Sequence, residues 1–331
     1  MPQLTSYVSR FDEEVYWKIS DIFNEQASRR AETDIGMNLF KTETTNLRTY
    51  RYQQLPSGGS PKLIAEWQDF PETVIKQGYY ATYTQQHFAD GMTITKDHYM
   101  FFTERWKEIA QMPQNLVRAA FNAIDQSLAD VLNNGWSTTY TDTYGQTVTS
   151  TTPDWVALLS DSHYVVSGWT VFGNIIWSGW ATSSWTVNPA LTRATLVSAR
   201  QQGSTFKDSA WILSPLTFKT LIVWPDQYDL AVRLVKSEYI PTSTYAGQND
   251  VNTTLQDLTV LKRDRLTAWY RFLATEQIWD AIEVLFAQKP MLWETMILPK
   301  SLSRRYPCDF YYVIARKDAA QIFGSKGTWS A

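Results

Sequence analysis

PQNLVRAAFNAIDQSLADVLNN, residues 113–134, carries the longest clean helical pattern in the chain. Leu116, Ala120, Ala123, Ile124, Leu128 and Val131 recur at steps of three and four, which keeps one stripe facing a core. The stripe is rich in alanine, so a neighbouring element can lie close against it. Pro113 suits a first turn, where its missing N–H costs nothing, and Asn133-Asn134-Gly135 suits a stop. About 21 helical residues at ~1.5 Å each make a rod of roughly 30 Å, the span of a small domain.

The chain around this helix has 331 residues, a length that suggests about two domains. Its residues are 44% hydrophobic and 19% charged, enough to bury a sizeable core. A net charge of −3 without a basic tail gives no support for general nucleic-acid affinity. A single cysteine, Cys308, excludes an intrachain disulfide and reads as a small core residue. No apolar run is long enough to predict a transmembrane helix, and the N-terminus lacks a signal-peptide pattern, so folding in a cytoplasm is expected. The outlier is 15% aromatic content, with 15 Trp and 18 Tyr, a weak pointer to large interfaces.

Before the helix, residues 1–10 read as extended. Phe11, Val15, Ile19, Ile22 and Phe23 predict an amphipathic helix to about Arg30, an arm that docks elsewhere. Leu47–Leu55 reads as a strand, Pro56–Pro61 as a loop tip and Lys62–Gln68 as the returning strand. This long hairpin is polar on both faces, and isolated hairpins are marginal in water, so a partner is expected to cover it. Tyr79–Thr95 reads as extended with a bend at Asp90-Gly91, and Lys96–Met112 as a helix that Pro113 separates from the next.

After the helix, residues 136–185 read as loops with short strands. Asn188 and Pro189 predict the cap and first residue of a helix to Gln202. Trp211–Leu213 and Thr220–Trp224 read as strands, and Asp226–Ser237 as a helix with Tyr228, Ala231, Leu234 and Val235 inward. Tyr239–Asn252 reads as a polar loop. Leu255–Leu261 and Trp269–Ala274 read as adjacent strands, and Phe310–Ala315 as a final strand before a polar tail.

Chemistry is hard to find. The three histidines, His87, His98 and His163, lie in different segments. Asp161-Ser162-His163 holds triad residue types, but sequence neighbours cannot converge from distinct elements as a relay requires. No nucleophile elbow, zinc motif or phosphate-binding glycine loop occurs. No catalytic, cofactor-binding or metal-binding residue is therefore assigned. Asn252-Thr253-Thr254 reads as a chance sequon. Trp169, Trp177, Trp180 and Trp185 suggest either an aromatic platform for a sugar or a base or, more simply, a mini-core.

Local sequence, taken in this order, resembles the Hong Kong 97 fold of tailed-phage major capsid proteins, the Mu-like head subunits in particular. ADGMTITKDHYMFFTERWKEIAQMPQNLVRAAFNAIDQSLADVLNNGW is similar to their strand and spine helix. LLSDSHYVVSGWTVFGN, WILSPLTFKTLIVWPDQYDLAVRLVKSE and GQNDVNTTLQDLTVL are similar to the degenerate motifs that follow. The matches cover about residues 85–275; Trp224 and the Trp-rich 169–185 segment depart from the pattern.

The resemblance implies an α+β fold: an N-terminal arm (1–36), an extended loop (37–84), a peripheral domain (85–157) with spine helix 113–134, an axial domain (158–295) and a C-terminal return (296–331). It implies a structural, non-enzymatic shell protein without cofactors, assembling as hexamers and pentamers into an icosahedral head. That head would form in the bacterial cytoplasm and enclose double-stranded DNA without sequence-specific binding. Portal, scaffold and decoration proteins would be partners, with no membrane involved. Arg48, Tyr50, Arg51, Tyr52, Lys62 and Trp67 would touch neighbouring subunits. The alternatives are an encapsulin-type compartment or a carbohydrate-binding or glycan-hydrolysing protein using Trp169–Trp185.

Overall fold

A computed structural model describes residues 3–33, 38–54, 64, 78–164, 171–178, 186–187, 189–207, 212–237, 255–294, 296–298 and 303–327. The chain opens with helix α1 (Gln3–Thr33), then strands β1 (Lys41–Thr44), β2 (Thr49–Gln53), β3 (Tyr80–Thr84) and β4 (Gln86–Ile94). Helices α2 (Lys96–Met100) and α3 (Phe102–Asn133) follow. Short strands β5 (Thr139–Thr141), β6 (Thr147–Thr149), β7 (His163–Tyr164), β8 (Val171–Phe172), β9 (Trp177–Ser178) and β10 (Thr186–Val187) pair two by two. Then come α4 (Arg193–Ser204), β11 (Phe218–Val223), α5 (Pro225–Lys236), β12 (Thr259–Lys262), β13 (Arg271–Thr275) and α6 (Ile278–Ala281). Strands β14 (Ile282–Leu292), β15 (Met296–Ile297), β16 (Arg304–Arg316) and β17 (Ile322–Ser325) complete it.

The chain forms two compact units. The first gathers Met1–Tyr50, Tyr83–Leu128 and Glu283–Ala315. Its sheet has β16 bonded to β14, β15 and β4, and β1 lies parallel on β14. The core packs Val15, Ile19 and Phe23 of α1 with Ile109, Leu116, Val117 and Phe121 of α3, and with Met92, Ile94, Tyr306 and Cys308 of the sheet. The expected stripe is there: Leu116, Ala120, Ile124, Leu128 and Val131 are buried, with Ala123 half-buried. Cys308 is buried, and desolvation pushes its thiol up to about 12.

Several expectations are corrected in this unit. Helix α1 begins at Gln3 rather than after an extended stretch, and its apolar face buries in the core of its own unit. Pro113 does not separate two helices; it lies inside α3. An interior proline costs about 3 kcal/mol, but Ile109 before it and Leu116, Val117 and Phe121 after it bury in one cluster, and that packing outweighs the lost bond. Asp90-Gly91 makes no bend, because β4 runs straight through with Gly91 opposite Pro307. A Cβ on Gly91 would sit 3.3 Å from Tyr306 O and 3.4 Å from Pro307 Cα, so the residue serves close approach rather than a turn. Strand β14 was not expected at all. The last predicted strand, Phe310–Ala315, is the end of the 13-residue β16.

The second unit gathers Arg51–Thr82, Ala129–Ile282 and Arg316–Ala331. Its sheet order is β12-β11-β13-β17, with β12 parallel and β13 antiparallel to β11, and β17 antiparallel to β13. Leu196 and Ala199 of α4 pack with Ala231, Leu234 and Val235 of α5 over Leu221, Val223, Leu273 and Phe323. Strands β12 and β13 are therefore not adjacent, as their order suggested; the apolar β11 lies between them. The cap of α4 is Thr192, which forms a reciprocal capping box with Thr195, rather than Asn188. Of Trp211–Leu213, the described part contains no strand and makes a bridge from Leu213 to Lys207. The expected polar tail contains β17, whose Ile322 and Phe323 are buried. Tyr239–Asn252 lies outside the described residues.

Candidate functional site

The candidate surface begins where β2 and β3 pair. Gln54 N donates to Tyr79 O at 2.9 Å, and Gln85 N donates to Arg48 O at 2.9 Å, so the strands run antiparallel. The returning strand expected at Lys62–Gln68 lies almost wholly outside the described residues; among the described residues β2 pairs with Tyr80–Thr84. Gly78 closes the pairing, since a Cβ there would lie 2.2 Å from Gln54 O.

Of the residues predicted to meet a neighbour, Arg48 and Arg51 are exposed, while Tyr50 and Tyr52 are half-buried. The Arg51 guanidinium lies 3.7 Å over the Tyr80 ring, and Lys317 Nζ sits 5.3 Å from the Tyr52 ring. Tyr52 thus rests on its own unit. Lys62 and Trp67 lie outside the described residues, as do Trp169, Trp180 and Trp185 of the aromatic cluster.

Facing β2 and β3 is a tight turn that sequence reading missed. Trp155 N donates to Thr152 O at 2.9 Å and Thr152 N donates to Val156 O at 2.9 Å. Pro153 fits the second position of such a turn, and Trp155 follows in the left-handed region with φ 69°. The Asp154 carboxylate fastens the turn by accepting from His163 Nδ1 at 2.8 Å, from Tyr164 N at 3.0 Å and from Thr152 Oγ1. Burial alone would push the Asp154 carboxyl up. The His163 bond and charge, with the Thr152 and Tyr164 bonds, hold it below the usual range. His163 is buried and stacks on Phe172 with ring centroids 5.0 Å apart. Its acidic partner is Asp154, nine positions back, and not the neighbouring Asp161. Ser162 Oγ pairs with Ser160 Oγ at 3.3 Å, so the structure assembles no triad from these three residues.

Arg51, Gly78, Tyr79, Tyr80, Asp154 and Trp155 line an open cleft of about 460 Å³ within the second unit. Its walls are aromatic, its free charge is a guanidinium and its one carboxylate is already engaged. Among the described residues the cleft holds no positioned nucleophile or general base. Among the described residues no group of His, Cys, Asp and Glu is placed to hold a metal ion, and no helix is long and apolar enough to cross a membrane.

No family model and no curated protein matches the chain. Solved structures do. The virus-like particle from Pyrococcus furiosus is similar at 10% identity and TM-score 0.50, over 93% of this chain and 97% of that one. The bacteriophage PhiM1 mature capsid is similar at 11% identity and TM-score 0.50, over 88% and 86%. The holo-SrpI encapsulin from Synechococcus elongatus PCC 7942 is similar at 8% identity and TM-score 0.50, over 89% of each chain. The chain has the mixed helix-and-sheet fold shared by these capsid and encapsulin subunits.

Proposed function

We propose that this chain is the major capsid protein of a tailed phage, of the Mu-like type that its local sequence resembles. The observation that carries the reading is extent: a fold found in shell-forming subunits takes up 93% of this chain and 97% of the similar virus-like particle chain. Copies assemble as hexamers and pentamers into an icosahedral shell around DNA. Residues 85–157 serve as the peripheral domain with spine helix 113–134, residues 158–295 as the axial domain, and residues 37–84 as the extended loop over a neighbour. Portal, scaffold and decoration proteins complete the head inside the host cytoplasm. The small negative charge fits a shell that does not grip its packaged DNA.

Electron microscopy of the purified chain is the test. Closed particles or capsomer rings are expected; a monodisperse monomer at high concentration, both alone and in the presence of the native source's other head proteins, overturns the proposal. The likeness to an encapsulin supports a second reading, a protein-filled compartment. The two separate on the contents of particles from the native source, which are DNA for a head and one dominant protein cargo for a compartment.

A further inference from the structure

Arg271, the first residue of β13, is fully buried. Its Nη2 donates to Pro189 O, a carbonyl that also accepts from Ser325 Oγ at 3.3 Å. Among the described residues Nε and Nη1 have no acceptor, and no Asp or Glu pairs with the guanidinium. Burial pulls that guanidinium down to about 10. A desolvated charge without a counter-charge is among the costliest groups a core can hold.

Strand register shows where this charge lies. Val223, the last residue of β11, is opposite Lys262 of β12 on one side and Arg271 of β13 on the other. Leu221, Val223 and Leu273 pack against Ala231, Leu234 and Val235 of α5. Residues directly opposite, or two apart on one strand, share a sheet face. Arg271 is across from Val223 and two before Leu273, so its side chain enters the face that α5 covers.

Strands β11 and β12 are parallel neighbours joined through α5, a unit whose crevice lies beyond the carboxyl ends of its strands. Helix α5 starts at Pro225, directly after β11, and its N-cap Trp224 makes no side-chain hydrogen bond. Gln227, one turn before Ala231 on the sheet-facing stripe, is buried in the first turn of α5. Its Oε1 has no partner among the described residues, whereas Asp226 beside it is exposed. A buried cation and a buried amide, both with unmet hydrogen bonds, thus stand at the same end of one sheet face. The first turn of a helix there adds N–H groups and a partial positive charge.

We propose that a small inorganic anion is enclosed at this end of the sheet, held by Arg271 beneath the first turn of α5. The ion supplies the counter-charge that Arg271 lacks. Gln227 turns its NH2 toward it, a half-turn about the last side-chain bond that exchanges amide O and N. Full burial of Arg271 limits the occupant to an ion of chloride or phosphate size. Such an ion is a structural part of the single subunit, so the proposal stands apart from the shell reading.

The test is urea unfolding of the full chain in mixtures of sodium gluconate with sodium chloride, or with sodium phosphate, at fixed ionic strength. Gluconate is too large to enter. An ion bound by the folded chain alone should lower the unfolding constant about tenfold for each tenfold rise in its concentration above Kd. Dependence on neither anion overturns the proposal and leaves Arg271 to a buried water or to the chain's own groups. Arg271→Met should abolish the dependence; an equal dependence in this variant marks a bulk salt effect, an adventitious ion only, and overturns it as well.

Equilibrium dialysis of the folded wild type against radiolabelled chloride, and separately phosphate, keeps the proposal falsifiable if Arg271→Met does not fold. Saturable uptake of about one ion per chain is expected for one of them, and its absence for both sinks the idea. Gln227→Leu should weaken that uptake about tenfold or more, as for loss of a hydrogen bond to a charge. Unchanged affinity in Gln227→Leu would put the ion away from α5 and overturn the site.

Discussion

Along α3, Leu116, Ala120, Ile124, Leu128 and Val131 bury one apolar stripe. Between Ala157 and Ile176 the chain is also buried in places, at Leu158, Leu159 and Ile176, yet no period runs through it. That segment is held by Asn174, itself fully buried. Its Nδ2 donates to Leu158 O at 2.7 Å, Ala319 O at 2.9 Å and Ile322 O at 3.1 Å, and its Oδ1 accepts from Ser160 N at 2.8 Å. The stripe is stabilised by area, which several side chains share. The loop depends on one amide that satisfies carbonyls from distant parts of the chain. Area degrades gradually under substitution; a buried polar hub fails at once.

The largest effect expected is on the stripe. Leu128→Asp puts an unpaired charge at a fully buried position and should cost on the order of 5 kcal/mol or more. The check is soluble yield, expected to be close to nil; soluble, folded protein would show that area is not what holds this face. Asn174→Ala should come next, at about 2–4 kcal/mol, because it removes a fully buried amide from the carbonyls and the Ser160 N–H that it bonds. Asn174→Asp should be no better, since a carboxylate cannot donate to them. Urea unfolding of both variants is the measurement, and a loss under about 1 kcal/mol would reduce the hub to ordinary packing.

The third prediction moves to the polar anchor behind Trp155. The Asp154 carboxyl is held below its usual range in the fold. A depressed acid stabilises above its unfolded value, near 3.9, and that contribution is lost as pH falls through the folded value. Asp154→Asn should therefore cost about 1–2 kcal/mol at pH 7, with the gap to wild type closing below about pH 4. A gap constant from pH 3 to 7 would show that Asp154 acts without its charge. The smallest effect is a control on the opposite side of the helix. Ala119 is exposed, so Ala119→Asp should stay within about 0.5 kcal/mol of wild type in the same urea experiment.

The contrast also explains what could be read in advance. Helix α3, helix α5 and strand β11 follow from short-range pattern, because burial on one face leaves a period. Pro113 was misread because the local rule was right and tertiary packing overrode it. Strand β17 looked like a tail because Ile322–Ser325 is too short to show alternation, and its partner β13 lies some fifty residues earlier. Arg51 was singled out as a neighbour contact through resemblance. Asp154 and Trp155 were not found at all, and Asn174 entered only as the last residue of the motif LLSDSHYVVSGWTVFGN, without a role. A positive φ leaves no mark on composition, and hydrogen bonds to backbone carbonyls across 145 and 148 positions have no sequence signature. The nearest available signal was Thr152-Pro153-Asp154, whose residue types announce a turn without saying what it displays.

Strand β16 has a consequence for synthesis. It is the strand to which β14, β15 and β4 are all bonded, yet it is built from residues 304–316 and follows each of them in the chain. A ribosome that stalls before residue 304 releases β4 and β14 with their inner edges bare. Such a product keeps the helices of its first unit and the β1–β14 pair, but lacks the strand that joins that pair to β4. Exposed edges mark it for proteolysis or aggregation. Placing the central strand after all its partners makes the sheet wait on residues 304–316.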